Sequence, residues 1–309
     1  MKILKKIIAM TIPVMILALS VGCTPRTEDQ TAKEKPSTPI DGFFWEAKKG
    51  DDSIYLVASM QPSKPKLDYL NSEMKTILKD TNALALEINF TDQKTVKDLQ
   101  EQQKKELYLE KGELKDLLTK EEQTKLDKVL ESLNLKYKEV KDLSPSGFLS
   151  LVKQVEAEKA GLTGTSLNSF IAEKFSKDKK EIVSLESNKT QLEMLKKSTK
   201  DLQDFINTYD ADVLKSTITS MNEDMDAFIK GDYDYMEKKA NELYTKDQQS
   251  YDKQYKERDI NMAKKIDTLA KEKNKYVVSV GTMHFFGNDN ILKNLENMGY
   301  TITQLNTNK

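Results

Sequence analysis

Lys275–Gly287 reads KYVVSVGTMHFFG. Its near-continuous apolar run, Tyr276–Val280, is too short for a free helix and reads as a strand buried on both faces. The run breaks at Gly281 and leaves His284 at its exit. Downstream, NDNILKNLENMG (288–299) predicts a short helix stopped by Gly299, and GYTITQL (299–305) a final strand. The other end of the chain supplies the partners. GFFWEAKK (42–49) and SIYLVAS (53–59) are strand-like, and Lys49-Gly50-Asp51-Asp52 between them is turn chemistry. In PSKPKLDYLNSEMKTILKD (62–80), Leu67, Leu70, Met74, Ile77 and Leu78 recur at helical spacing. ALALEINF (83–90) is then a buried strand, and strand–helix–strand predicts a right-handed crossover with a parallel pair.

From about residue 92 to 275 the chain is rich in Lys, Glu, Leu and Asp with apolar residues every three or four, so it reads as helical, broken by one strand in EIVSLES (181–187). The predicted fold is α/β in the α+β sense. A small mixed sheet of strands 43–48, 53–59, 83–89, 181–186, 276–283 and 300–305 joins the two ends of the chain, with a large helical insertion over it.

Composition narrows the function. The 309 residues carry 49 Lys plus Arg against 50 Asp plus Glu, a net charge of −1. Removing the three lysines of the first 22 residues lowers it to −4, which argues against a nucleic-acid partner. One cysteine excludes an intrachain disulfide framework and Cys-cluster metal sites; one histidine excludes multi-His zinc sites. No Gly-rich phosphate loop, nucleophile elbow or nucleotide fingerprint occurs.

Residues 1–22 have a basic start and an apolar run from Ile7 to Leu19, interrupted by Pro13, that fits a secretory leader better than a membrane span. The lone cysteine, Cys23, follows Gly22 in the manner of a bacterial lipobox, with Ser20 where Leu is usual. The expected product is a lipoprotein, acylated on Cys23 and held on the extracytoplasmic face of the cell membrane. Residues 24–41 contain three prolines and one large aliphatic, Ile40, and read as a tether with a reach of about 23 Å. The expected organisation is leader 1–22, lipidated tether 23–41 and folded body 42–309.

Rare residues point to the site. Arg258 is the body's one arginine among many lysines, so its position calls for a planar, bidentate fork. It fills a gap in the helical stripe Tyr251, Tyr255, Met262, Ile266, Leu269, where it needs a carboxylate partner. Glu87 and Glu186 end mostly apolar strands, as His284 does. Ser59, Gln61 and Thr282 fall close to the same strand ends. A carboxylate-rich site with Arg258 as counter-charge follows, against the plain alternative of structural ion pairs. One imidazole with oxygen ligands suits an ion of the Mn²⁺ kind.

These segments, in order, resemble the TraB/PrgY/GumN family, whose animal relatives are the Tiki proteins. The opening GFFWEAKKGDDSIYLVASMQPSKP, the Glu-ending ALALEINF, the SPSGF segment, SLESNKTQL, ERDINMAKKI and VVSVGTMHFFG carry the likeness. It implies a fold resembling erythromycin esterase and ChaN-type proteins, and metal-dependent peptidase chemistry at two GxxH motifs and a Glu. Carried over, the second motif gives Gly281 and His284, the strand Glu gives Glu87, and the helical Arg and Asn give Arg258 and Asn261. The first motif reads Ala58-Ser59-Met60-Gln61, with Gln61 in the His position, and Asp259 stands where Asn is usual. The resemblance therefore implies a divalent metal of Mn²⁺ or Co²⁺ type at His284 and Glu87, weakly bound or absent. Three functions compete: a catalytically impaired relative that binds a peptide or protein partner, an active metal-dependent peptidase at the cell surface, and a structural, envelope-associated lipoprotein.

Overall fold

The structure, a computed structural model, describes residues 38–305. The leader, Cys23 and most of the tether lie outside the described residues. Strands β1 (Phe44–Lys49), β2 (Asp52–Ser59), β3 (Ala83–Leu86), β4 (Glu181–Ser184), β5 (Tyr276–Gly281) and β6 (Thr301–Gln304) form one mixed sheet in the order β4-β3-β5-β2-β1-β6. β1 and β2 are the expected hairpin; Gly50 in its two-residue turn takes the left-handed φ of 61° that only glycine adopts freely. β2, β5, β3 and β4 run parallel, so all four end at one edge of the sheet. β3 is buried at every residue and β5 at all but Gly281, as expected of strands covered on both faces. Helices Leu167–Lys177 and Glu257–Ala270 both pack on these central strands.

The insertion is helical, as predicted, and carries a core of its own. Leu126, Val129, Leu130, Leu133, Phe148, Val152, Leu202 and Ile206 pack together away from the sheet. Its helices are closed by local chemistry: Thr119 with Glu122, and Ser198 with Asp201, form reciprocal capping boxes. The helix Pro145–Lys159 gives Phe148 and Val152 to this core and Ala157 to the sheet core. No helix among the described residues is long and apolar enough to cross a membrane.

Three boundaries differ from expectation. The helix after the hairpin begins at Ser72, not near Leu67, because Leu67–Asp68 pairs in parallel with Thr38–Pro39 and Asn71 caps the Met74 N–H. The end of the presumed tether is therefore folded: Ile40 is buried, and the Asp41 N–H donates to the Ile229 carbonyl. Among the described residues the body therefore includes residues 38–41, since a single aliphatic side chain suffices once the core offers it a slot. Finally, β3 stops at Leu86, one residue before Glu87, and β5 at Gly281, three before His284. Glu87 turns toward the Gly281 N–H, and Thr282–Phe285 form a 3-10 turn whose Thr282 hydroxyl donates to the Ser59 carbonyl.

Candidate functional site

Parallel strands bring Glu87, Glu186 and His284 to one edge because each lies one to three residues past the end of β3, β4 or β5. Arg258 reaches them from the first turn of Glu257–Ala270. Its Nε donates to Glu186 Oε1 at 2.7 Å and its Nη2 to Glu186 Oε2 at 2.8 Å, a bidentate fork that lysine cannot make. The same Nη2 lies 3.5 Å from Glu87 Oε2, and Nη1 donates to the Gln254 carbonyl at 3.0 Å. Gln191 donates to Glu186 Oε2, so both oxygens of that carboxylate are engaged. Only 12% of the Arg258 side chain and 4% of the Glu186 side chain are exposed. The pair therefore acts in a low-dielectric setting, where loss of either partner strands the other.

Glu87 connects this clamp to the histidine. Its Oε1 accepts the Gly281 N–H at 2.7 Å and lies 3.7 Å from His284 Nε2. A side chain at Gly281 would press on both groups, since its Cβ would fall 3.2 Å from Glu87 Oε1 and 3.5 Å from the imidazole. Burial works to raise the Glu87 pKa, but His284, Arg258 and the Gly281 N–H together hold it below the ordinary carboxylate value.

On its other side His284 meets a residue that the motifs did not single out for the site. Nδ1 is 2.5 Å from Asp259 Oδ1, and Asp259 is fully buried with Oδ2 lacking any hydrogen-bond partner. Burial pushes the Asp259 carboxyl up to about 6 against the pull of His284 and Arg258. The His284 imidazole is raised: burial disfavours its charge, but Asp259 and then Glu87 outweigh burial. The pair thus retains a proton into the neutral range. Tyr255 stands against the imidazole, ring centroids 5.5 Å apart at 65°, and continues through Tyr251 to Tyr244. Tyr255 is set there by a π-helical turn, Asp252–Lys256, which shifts the phase of the helix ahead of Arg258.

Of the sequence candidates, Glu87, Glu186, Arg258 and His284 meet in one network. Ser59 and Thr282 lie beside one another, but their groups are structural. Ser59 Oγ accepts the Asn168 N–H and so caps Leu167–Lys177, whose own Ser166 makes no capping bond. Gln61, expected to face His284, is exposed two residues past the end of β2 and, among the described residues, makes no contact that joins it to this network, and Asn261 is exposed on its helix. Asp259 had a legible signal: it lies four residues after Tyr255, three before Met262 and seven before Ile266, a charged residue in the apolar stripe itself. The gap that Arg258 fills at the rim is filled at the centre by Asp259.

Among the described residues, no group of three or more His, Cys, Asp or Glu is arranged to hold a metal ion. Neither the curated proteins nor the solved structures yielded a match. The model of the TraB/PrgY/gumN family, however, matches residues 43–304, from the hairpin through the last strand, and the chain belongs to that family.

Proposed function

We propose that this protein is a surface-tethered member of its family that binds a peptide or protein partner at the His284 edge of the sheet without hydrolysing it. The supporting observation is how the site's donors are spent. Glu186 gives both oxygens to Arg258 and Gln191, and Asp259 faces the Nδ1 side of the imidazole. Gln61, where the family resemblance expects a second histidine, is exposed and in any case offers a neutral amide. His284 Nε2 and Glu87 remain as donors for a cation. Two donors fit a divalent ion of Mn²⁺ or Co²⁺ type only as part of a shell completed by water, so binding is weak. When bound, such an ion would supply a polarised water. The protein's own part is to hold Glu87 through the Gly281 N–H and to keep the imidazole oriented through Asp259. Anchoring through an acylated Cys23 places this body outside the cytoplasm in the same reading.

A second reading, an active metal-dependent peptidase, is favoured by one feature: an imidazole backed by a buried carboxylate is how metal-binding histidines are oriented. Metal analysis of the purified protein, before and after loading with Mn²⁺ or Co²⁺, separates the two. The binding reading expects substoichiometric metal that is lost on dialysis and no cleavage of peptide mixtures. A tightly held equivalent accompanied by peptide cleavage would replace it with the peptidase reading.

A further inference from the structure

We infer that Asp259 is a positioning residue for His284: it grips Nδ1 and leaves Nε2 as the nitrogen that the site presents toward Glu87. The inference deepens the site reading above and rests on it only for the site's location, not for what binds there.

Three observations carry it. First, the contact is short and charge-assisted, Nδ1 to Oδ1 at 2.5 Å, between groups that are buried on all sides. Second, Asp259 has no other role visible in its contacts. Its Oδ2 is buried without a hydrogen-bond partner, a costly state for a carboxylate whose only task is to stabilise the fold. Third, the remaining contacts fix the ring in one pose. Tyr255 packs edge-on against the imidazole from the π-helical turn, Gly281 leaves room for the ring beside Glu87 Oε1, and Glu87 Oε1 lies 3.7 Å from Nε2. A ring turned over would put Cδ2 where Nδ1 meets Asp259 and Cε1 where Nε2 faces Glu87, losing both contacts. Asp in place of the Asn that the family resemblance expects makes this grip ionic, so that a proton is held on Nδ1 by attraction as well as by geometry.

His284 is the only histidine in the chain, so its ring nitrogens can be observed by ¹⁵N nuclear magnetic resonance of the whole protein without assignment. The test uses the wild-type protein, Asp259→Asn and Asp259→Ala, with Glu87→Gln as the control, and needs neither partner nor metal. In the wild-type protein the neutral ring should be found as one tautomer, protonated on Nδ1, with a far-downfield proton signal. Asp259→Ala should lower the Nδ1–H to Nε2–H ratio by about tenfold or more, the scale of a charge-assisted hydrogen bond. Asp259→Asn keeps the shape but brings an NH2 donor beside the acceptor oxygen, so it should release the tautomer preference, admit the Nε2–H form and abolish the downfield proton. Glu87→Gln should leave the tautomer in place. The inference is overturned if Asp259→Asn leaves every His284 signal unchanged, or if the Nε2–H form already dominates in the wild-type protein. Should Asp259→Ala fail to fold, the Asn variant and the wild-type spectrum decide between these outcomes. A wild-type protein that shows this tautomer control but binds no peptide in a separate titration would count against the proposed function alone.

Discussion

The sheet edge and the helical lobe both bury carboxylates, and they do so in opposite ways. At the sheet edge, Glu87, Glu186 and Asp259 are set against one arginine and one imidazole. With the proton that the His284–Asp259 pair retains, these five side chains sum to −1, so charge is retained and only partly balanced. In the lobe, Glu156 is buried beside Tyr209, whose hydroxyl donates to Oε1 at 2.8 Å. There burial raises the carboxyl's pKa against the Tyr209 hydrogen bond and the nearby Lys153, so an acid paired with a phenol tends toward neutrality beside one lysine.

The comparison is sharpened most by Arg258. Arg258→Leu should cost about 3–5 kcal/mol, because two buried carboxylates lose their counter-charge. Arg258→Lys should cost less, since charge is kept and the fork lost; urea denaturation at neutral pH measures both. If Arg258→Leu proved neutral, the sheet-edge network would be no more charged in practice than the lobe's acid–phenol pair.

Glu156→Gln is expected to have a smaller effect with a telling sign. The raised Glu156 carboxyl holds its proton more tightly folded than unfolded. Its contribution therefore favours the fold at acid pH and is lost as pH rises through its folded value. Glu87, whose pKa is lowered, contributes above its unfolded value and loses that contribution as pH falls. Denaturation across a pH series should find Glu156→Gln near neutral in acid and gaining on the wild-type protein, by about 1 kcal/mol, as pH rises. A variant that loses ground with rising pH would mean that Glu156 is paired as a charge. The smallest effect is expected of Ser59→Ala. It removes the hydroxyl that caps Leu167–Lys177 and should cost about 1 kcal/mol in the same measurement, with no change at His284.

Much of this molecule is legible in the sequence because its strands are apolar runs bounded by turn residues. All six strands lie where the runs fall, and Glu87, Glu186 and His284 converge because strands that run parallel end together. What was not legible depends on phase and on contact. The π-helical turn at Asp252–Lys256 adds a rotation that no periodicity count shows, and it sets Tyr255 against His284. Ser59 looked like a site hydroxyl because it ends a strand, yet its partner is a helix more than a hundred residues away in sequence. Gln61 sits past the strand end, where a turn decides direction, and the turn leads it into solvent. Ile40 lay in a stretch too polar to fold by itself, and its burial is a property of the receiving core.

The helix Pro145–Lys159 gives Phe148 and Val152 to the lobe and Ala157 to the sheet core. A single rigid rod thus belongs to two hydrophobic clusters, and neither can dissolve without unseating part of the other. Opening of the insertion should consequently be coupled to opening of the sheet, and a single unfolding transition in heat or denaturant is the expected outcome, rather than a stable core with a separately melting appendage. Amides in the middle of that helix should sit at the slow end of hydrogen exchange for both halves.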